Sequence, residues 1–257
     1  MRVMTLRLLY YYSLPMHYKK IIFFDTETTG NGEGDRLCQL AVKERGIVEP
    51  VVNATYQPPV PISVESMAIH HITPKMVAGR PLFTDAPEYA EVKKLFESED
   101  VISVAHNVAF DVSMLSRESV IPARTICTYK LAKHLDPNDL IPQHRLQYLR
   151  YFLGIEVEAV AHDALGDVLV LEALFERLLA KMVEQKGGEE AALEEMLEIS
   201  ARPLLFTTLR FGKYNGKRLE DIAKSDKGYL EWLLGQKKQN PLGEEDWIYS
   251  LGHYLKT

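Results

Sequence analysis

Asp25 and Glu27 stand two residues apart in Phe24-Asp25-Thr26-Glu27-Thr28-Thr29-Gly30, directly after the apolar run Ile21 to Phe24. A short apolar run ended by a turn signal predicts a strand buried on both faces. Alternate residues of a strand share a face, so the two carboxylates project together from its far end. Held that close, they repel each other and lose hydration unless a cation lies between them. Mg²⁺ or Mn²⁺, which prefer oxygen ligands, suit the pair. A bare Asp-x-Glu more often ends a strand with both acids in water, so the metal reading requires further acids elsewhere.

Two more acids fall on apolar helix faces. The stripe Ala164, Val168, Leu171, Phe175, Leu178 and Met182 has helical spacing, and Asp167 lies on it, three after Ala164 and four before Leu171. Asp111 interrupts the face of Val108 and Leu115 in the same way. An acid facing a core is costly unless it is paired or bound to metal. Either one alone could be a capping or salt-bridged acid; both, in one domain with Asp25 and Glu27, point to a shared site. His162, five residues before Asp167, has an unperturbed pKa near ~6.5 and is a candidate proton acceptor. Asp163 is assigned to capping the helix that follows.

The elements that must carry these residues follow in order. Strands are predicted at 37–42, 51–56 and 101–105, with a weaker one at 125–127. The segment 31–35 reads as a flexible turn. Helices are predicted at 63–69, from Thr73-Pro74, and at 85–96, 107–115, 129–135, 144–153 and 163–183. The short connections among the first three strands favour an antiparallel meander.

Composition is that of a globular chain: 257 residues, 46% hydrophobic, 26% charged, enough for one good core and a smaller module. No apolar run approaches the roughly 20 residues that span a bilayer. Two cysteines make no disulfide framework, which places the protein in a reducing cytoplasm. The net charge of −6 does not by itself advertise nucleic-acid binding. Residues 1–17 read as an extension upstream of an alternative start at Met16: their apolar core is short, broken by tyrosines and followed by no small-residue cleavage site.

Three motifs in order, Phe24 to Gly30, Ala105-His106-Asn107-Val108-Ala109-Phe110-Asp111 and His162-x4-Asp167, resemble those of the DEDD exonucleases in their histidine-bearing, DnaQ-like branch. The tyrosine branch carries Tyr where this chain has Asp163. The resemblance implies an α/β, ribonuclease-H-like fold with a mixed five-stranded sheet flanked by helices. It implies two Mg²⁺ ions, replaceable by Mn²⁺: Asp25, Glu27 and Asp167 around the ion that activates water, Asp25 and Asp111 around the ion at the leaving 3′ oxygen, and His162 taking the proton. It adds Thr28, His106 and Asn107 as substrate contacts. The implied activity is a 3′–5′ exonuclease releasing nucleoside 5′-monophosphates from single-stranded DNA or duplex 3′ ends, in DNA repair, with no small-molecule cofactor and no membrane. A 3′–5′ exoribonuclease acting on RNA, or a proofreading-type polymerase subunit, is the rival, since the metals act on phosphate and not sugar. A non-catalytic nucleic-acid-binding module is the rival of another class; loss of an acid would mark it, and all four acids and the histidine are present.

Likeness to the exodeoxyribonuclease X group extends into Phe211-Gly212-Lys213-Tyr214-x-Gly216-Lys217 and Asp226-x-Gly228-Tyr229-Leu230-x-Trp232. The expected organisation is an extension at 1–17, an exonuclease domain at 18–185, a linker or surface helix at 186–200 and a small module at 201–257. Within that module Asn215-Gly216 predicts a β-hairpin. Lys213, Tyr214 and Lys217 on it either grip a nucleic-acid strand or form a solvated hairpin with Tyr214 packed beneath. Tyr229, Leu230, Trp232 and Leu233 are expected in the module's own core.

Overall fold

The computed structural model describes residues 18–158, 163–239 and 244–256. The extension at 1–17 and His162 lie outside them.

The first strand, β1 (Lys20–Thr28), is the centre of the sheet. Its apolar run splits by alternation: Ile21 and Phe23 enter one core, Ile22 and Phe24 the other. Both faces are therefore covered, which is why the run is continuous rather than alternating. β2 (Leu37–Glu44) pairs antiparallel with β1, and β3 (Val52–Thr55) antiparallel with β2. β4 (Val101–Ala105) and β5 (Thr125–Cys127) add in parallel on the other side. The order is β3-β2-β1-β4-β5, the mixed five-stranded sheet expected from the sequence.

Two short helices, α1 (Val64–His70) and α2 (Pro74–Val77), follow the meander. The helix expected over 85–96 is divided. A 3₁₀ turn covers Phe83–Asp85, and α3 (Tyr89–Phe96) starts only after Pro87, because the residue before a proline is driven out of the helical region. Then come α4 (Val108–Arg117), α5 (Thr128–His134), α6 (Leu146–Phe152) and α7 (Ala164–Lys186). The stripe read from the sequence of α7 is buried, and Phe175 meets Phe23 edge-on at 5.3 Å. Ion pairs strap α7 to β2 and the residue that follows it: Lys43–Glu172 at 2.6 Å, and Arg45 Nε and Nη2 to the two oxygens of Glu176 at 2.6 and 2.8 Å.

Gly187, at φ +82°, ends α7 in a left-handed cap donating to Val183 O. The next helix, α8 (Glu189–Ala201), was expected as linker or surface. Its outer face is acidic, but Ala192, Leu193, Met196 and Ile199 join the core beneath the sheet, and Ser200 Oγ accepts the Cys127 amide at 2.8 Å. The acidic outer face masked this inner stripe.

Residues 206–255 form a separate small core around Leu209, Leu219, Ile222, Leu230, Leu233 and Leu251, built from α9 (Leu219–Ser225), α10 (Lys227–Gln239) and α11 (Glu245–Lys256). The expected hairpin is present in short form: the Thr208–Arg218 bridge is flanked by Leu209 N–H to Lys217 O at 2.9 Å, Gly216 N–H to Leu209 O at 2.7 Å and Leu219 N–H to Thr207 O at 2.8 Å. Asn215 lies at φ −52°, ψ 128° and Gly216 at φ +82°, with Lys217 N–H donating to Tyr214 O at 3.0 Å. That is a type II turn, whereas the two-residue hairpin of an Asn-Gly pair needs positive φ at both central residues. Among the described residues no helix is long and apolar enough to cross a membrane, and both cysteines are buried and free.

Candidate active site at the end of the central strand

β1 pairs with β4 only from Lys20 to Phe23, while its pairing with β2 continues to Thr28. On the β4 side the end of the strand is thus left with unpaired backbone donors, which need another acceptor. Asp111 supplies it. Its Oδ1 accepts from Thr26 N–H at 3.1 Å and from Thr26 Oγ1 at 2.7 Å, and the residue is 3% exposed. Asp111 is in the first turn of α4, so this bond fixes that helix against the strand end.

Asp25 and Glu27 are half-buried on one face of β1, as alternation requires. Between Glu27 and Thr28 the register against β2 shifts, a bulge of the kind that re-aims side chains beside active sites. α7 brings Asp167 to the same place: one carboxylate oxygen from each of Asp25, Glu27 and Asp167 lies within 4.8 Å of the others. Gln147, from α6, donates to Asp167 Oδ1.

The electrostatics are those of a site built for countercharge. Burial, then Asp111, Glu27 and Asp167, raise Asp25 well above the usual carboxylate range. Burial, then Asp167 and Asp111, raise Glu27 to about 8. Burial raises Asp111 to about 7, although its bonds from Thr26 oppose the shift. Oxygen-only donors at this spacing fit a hard divalent cation.

Asp163 caps α7 as expected: its carboxylate accepts from Gly166 N–H at 3.3 Å and from Gln39 Nε2 at 3.0 Å. Gln39, paired with Glu27 in the ladder, thereby ties the start of α7 to β2. Gln39 and Gln147 went unnoticed in the sequence, since a lone glutamine has no local signature; Gln39 within an otherwise apolar strand was the one available hint.

Of the expected substrate contacts, Asn107 is exposed, sits at φ +65° at the start of α4 and makes no side-chain capping bond. Thr28 is 7% exposed and its hydroxyl donates to Gly30 O at 2.8 Å. His106 uses both ring nitrogens internally, with Thr128 Oγ1 at 2.9 Å and His144 O at 2.7 Å, and burial lowers it to about 4. It is therefore neutral near pH 7 and ties the end of β4 to the start of α5 and to the segment before α6. The turn 31–35, expected to be flexible, is braced. Asp35 accepts from Thr29 Oγ1 and Gly32 N–H, both at 2.7 Å, and Arg117 Nη1 reaches Gly32 O and Asp35 O. A Cβ on Gly30 would come within 2.5 Å of the Asp35 carboxylate, so a side chain there would displace the group that braces the turn. In the small module Lys213 pairs with Asp226 at 3.1 Å and Tyr214 Oη donates to the same carboxylate at 2.7 Å; Lys217 is exposed.

Comparison with known proteins agrees with this geometry. A family model described as Exonuclease matches residues 22–175, and one described as Exodeoxyribonuclease X-like C-terminal matches residues 209–238. Exodeoxyribonuclease 10 of Escherichia coli strain K12 is 37% identical over 238 residues, covering 91% of this chain and 97% of that protein. A DNA polymerase III subunit epsilon-like protein of Rhodobacter capsulatus is 33% identical over 64% of this chain but only 24% of its own length. Among solved structures, exonuclease X in complex with 5′-overhanging duplex DNA superposes with a TM-score of 0.55 at 29% identity, over 70% of this chain and 99% of that one. Exonuclease I, at 22% identity and a TM-score of 0.53, shares the fold.

Proposed function

This chain belongs to the exonuclease family, and we propose that it removes nucleotides from the 3′ ends of DNA, releasing nucleoside 5′-monophosphates in a DNA-repair role in the cytoplasm. It is an exodeoxyribonuclease, a hydrolase of phosphodiester bonds. The observation that carries the reading is the convergence of Asp25, Glu27 and Asp167 within 4.8 Å, with Asp111 anchored at the same strand end.

Asp25, Glu27 and Asp167 would hold one divalent ion, and Asp25 with Asp111 a second; Mg²⁺ suits the oxygen donors, and Mn²⁺ can replace it. Such ions, when bound, activate water and neutralise charge on the attacking and leaving oxygens. His162 takes the proton of the attacking water. The bond broken joins the phosphorus of the last nucleotide to the 3′ oxygen of its neighbour, so the phosphate leaves on the 5′ side of the released nucleoside. Asp111 keeps Oδ1 on Thr26, and its other oxygen would serve the second ion. Gln147 orients Asp167, and the Gln39–Asp163 bond fixes the helix start that precedes it. Asn107 meets the substrate directly; Thr28 and His106 shape the wall that receives it. The working units are an exonuclease domain over 18–185, extended by the packing of α8, and a C-terminal module over 201–257 whose Lys217 faces the strand. Cys38 and Cys127, free and buried, accord with a reducing compartment.

The test is digestion of matched 5′-labelled DNA and RNA, single- and double-stranded, with Mg²⁺ or Mn²⁺. A ladder shortening from the 3′ end of DNA, abolished by excess EDTA, is expected. Cleavage that persists in EDTA, or confined to RNA, would overturn the reading.

A further inference from the structure

Three aromatic rings form a row across the C-terminal module. The Tyr214 and Tyr229 rings are 5.0 Å apart, and Tyr229 and Trp232 5.6 Å. Lys213 Nζ closes one end, 4.7 Å from the Tyr214 centroid. The other end is Trp232, 56% exposed although it was expected in the module's core. The remaining tryptophan, Trp247, packs against Phe206 at 4.3 Å and Phe211 at 5.1 Å.

The row is built rather than accidental. Residues three and four apart on a helix are surface neighbours, and those flanking Trp232 on α10 are Tyr229 and Gln236 together with two glycines, Gly228 and Gly235. Neither glycine carries a side chain to cover the indole, and nothing lies within 4 Å of the position a Cβ on Gly235 would take. Gly212, at φ +65°, clears space for the middle ring: a Cβ there would stand 2.8 Å from Tyr229 Oη. The charge is local as well. Residues 209–239 hold eight Lys and Arg against four Asp and Glu, in a chain whose net charge is −6.

We propose that this row is a second nucleic-acid site, on which bases of single-stranded DNA stack with Trp232 as the leading ring. A base has a π-face whatever its identity, so stacking on aromatics grips a strand without reading it, and nearby lysines meet the phosphates. The Lys213–Asp226 pair is no obstacle, because an exposed ion pair is worth little and can be exchanged for phosphate. The proposal rests on the exodeoxyribonuclease reading for its choice of strand: the module holds DNA that the active site has not yet reached.

The test uses the full chain in EDTA, where no strand is consumed, titrated with a 20-nucleotide oligo(dT) while tryptophan emission is followed. Trp232 is the exposed one of only two tryptophans, so stacking is expected to quench a large part of the emission in the unmodified protein. Trp232→Ala should lose that quench and weaken binding about tenfold, with Trp232→Phe in between, as expected for loss of one stacked base. Hydrolysis of a chromogenic ester of thymidine 5′-monophosphate, too small to span both sites, should be unchanged in Trp232→Ala. An unmodified protein inactive on that ester sinks the exonuclease reading. An active one whose emission does not respond to oligo(dT), or whose Trp232→Ala variant binds it equally well, sinks the stacking site. A change in the oligomeric state of Trp232→Ala would assign the surface to a second copy of the chain and also overturn the proposal.

Discussion

The end of β1 and the surface of the small module handle charge in opposite ways. At β1 the acids are buried or half-buried, and burial and mutual repulsion disfavour their charged forms: Asp25 is raised well above the usual carboxylate range, Asp111 to about 7 and Glu27 to about 8. On the module basic groups predominate and stay exposed, Lys213 paired loosely with Asp226 and Lys217 in solvent. One region stores electrostatic tension that a cation relieves; the other offers cations and rings without strain. Chemistry needs the first arrangement, and holding a polyanion needs only the second.

The sharpest way to break this contrast is at the first region. Asp25→Ala should reduce turnover below detection on every DNA substrate while binding of oligo(dT) to the module persists; residual metal-dependent cleavage in a gel assay would deny Asp25 its place. His162→Ala should bind metal and DNA normally and cleave roughly 10²–10⁴-fold more slowly, the usual worth of a general base. Near-normal single-turnover rates at pH 7 would remove His162 from the reaction.

The raised carboxyls give a pH signature that the module lacks. A carboxyl whose folded pKa exceeds its unfolded value favours folding at low pH, and that stability is lost as pH rises through the folded value. The metal-free protein should therefore melt at a progressively lower temperature as pH climbs from the ordinary carboxylate range, 3.8 to 4.5, up to about 7 and about 8, the values for Asp111 and Glu27, and level off above them. Mg²⁺ should flatten the trend, bind more tightly as pH rises and release protons on binding, as calorimetry in buffers of different ionisation heat would register. A metal-free melting profile that does not fall over that range would mean that the four acids do not share a field.

The smallest effect belongs to the module. Because Ile199 and Ser200 are part of the large core, a useful truncation ends after Arg202 and not within α8. It should raise KM for long DNA several-fold, leave kcat within about twofold and weaken the dependence of binding on salt. Unchanged KM and salt slope would reduce the module to a structural tail.

Much of this was legible in the amino-acid order, and the exceptions have physical reasons. β4 and β5 were read with their observed ends, and the stripe of α7 was read residue for residue, because a packed face imposes periodicity. Asp111 and Asp167 betrayed themselves by interrupting such faces. What escaped depends on contacts distant in sequence. The bracing of the 31–35 turn comes from Arg117, the grip on Asp167 from Gln147, and the burial of α8 from β5 and α7. The hairpin was read in place, but its turn was not: Asn215-Gly216 closes the short antiparallel pair with a type II turn.

Asp111 holds a backbone amide and a hydroxyl through a single oxygen. An amide side chain has an oxygen that can serve the same two donors, yet it carries no negative charge. Replacing Asp111 with Asn should therefore silence the enzyme while leaving its architecture standing. A lineage could abandon hydrolysis by that one exchange and keep a shape still able to cradle a DNA terminus.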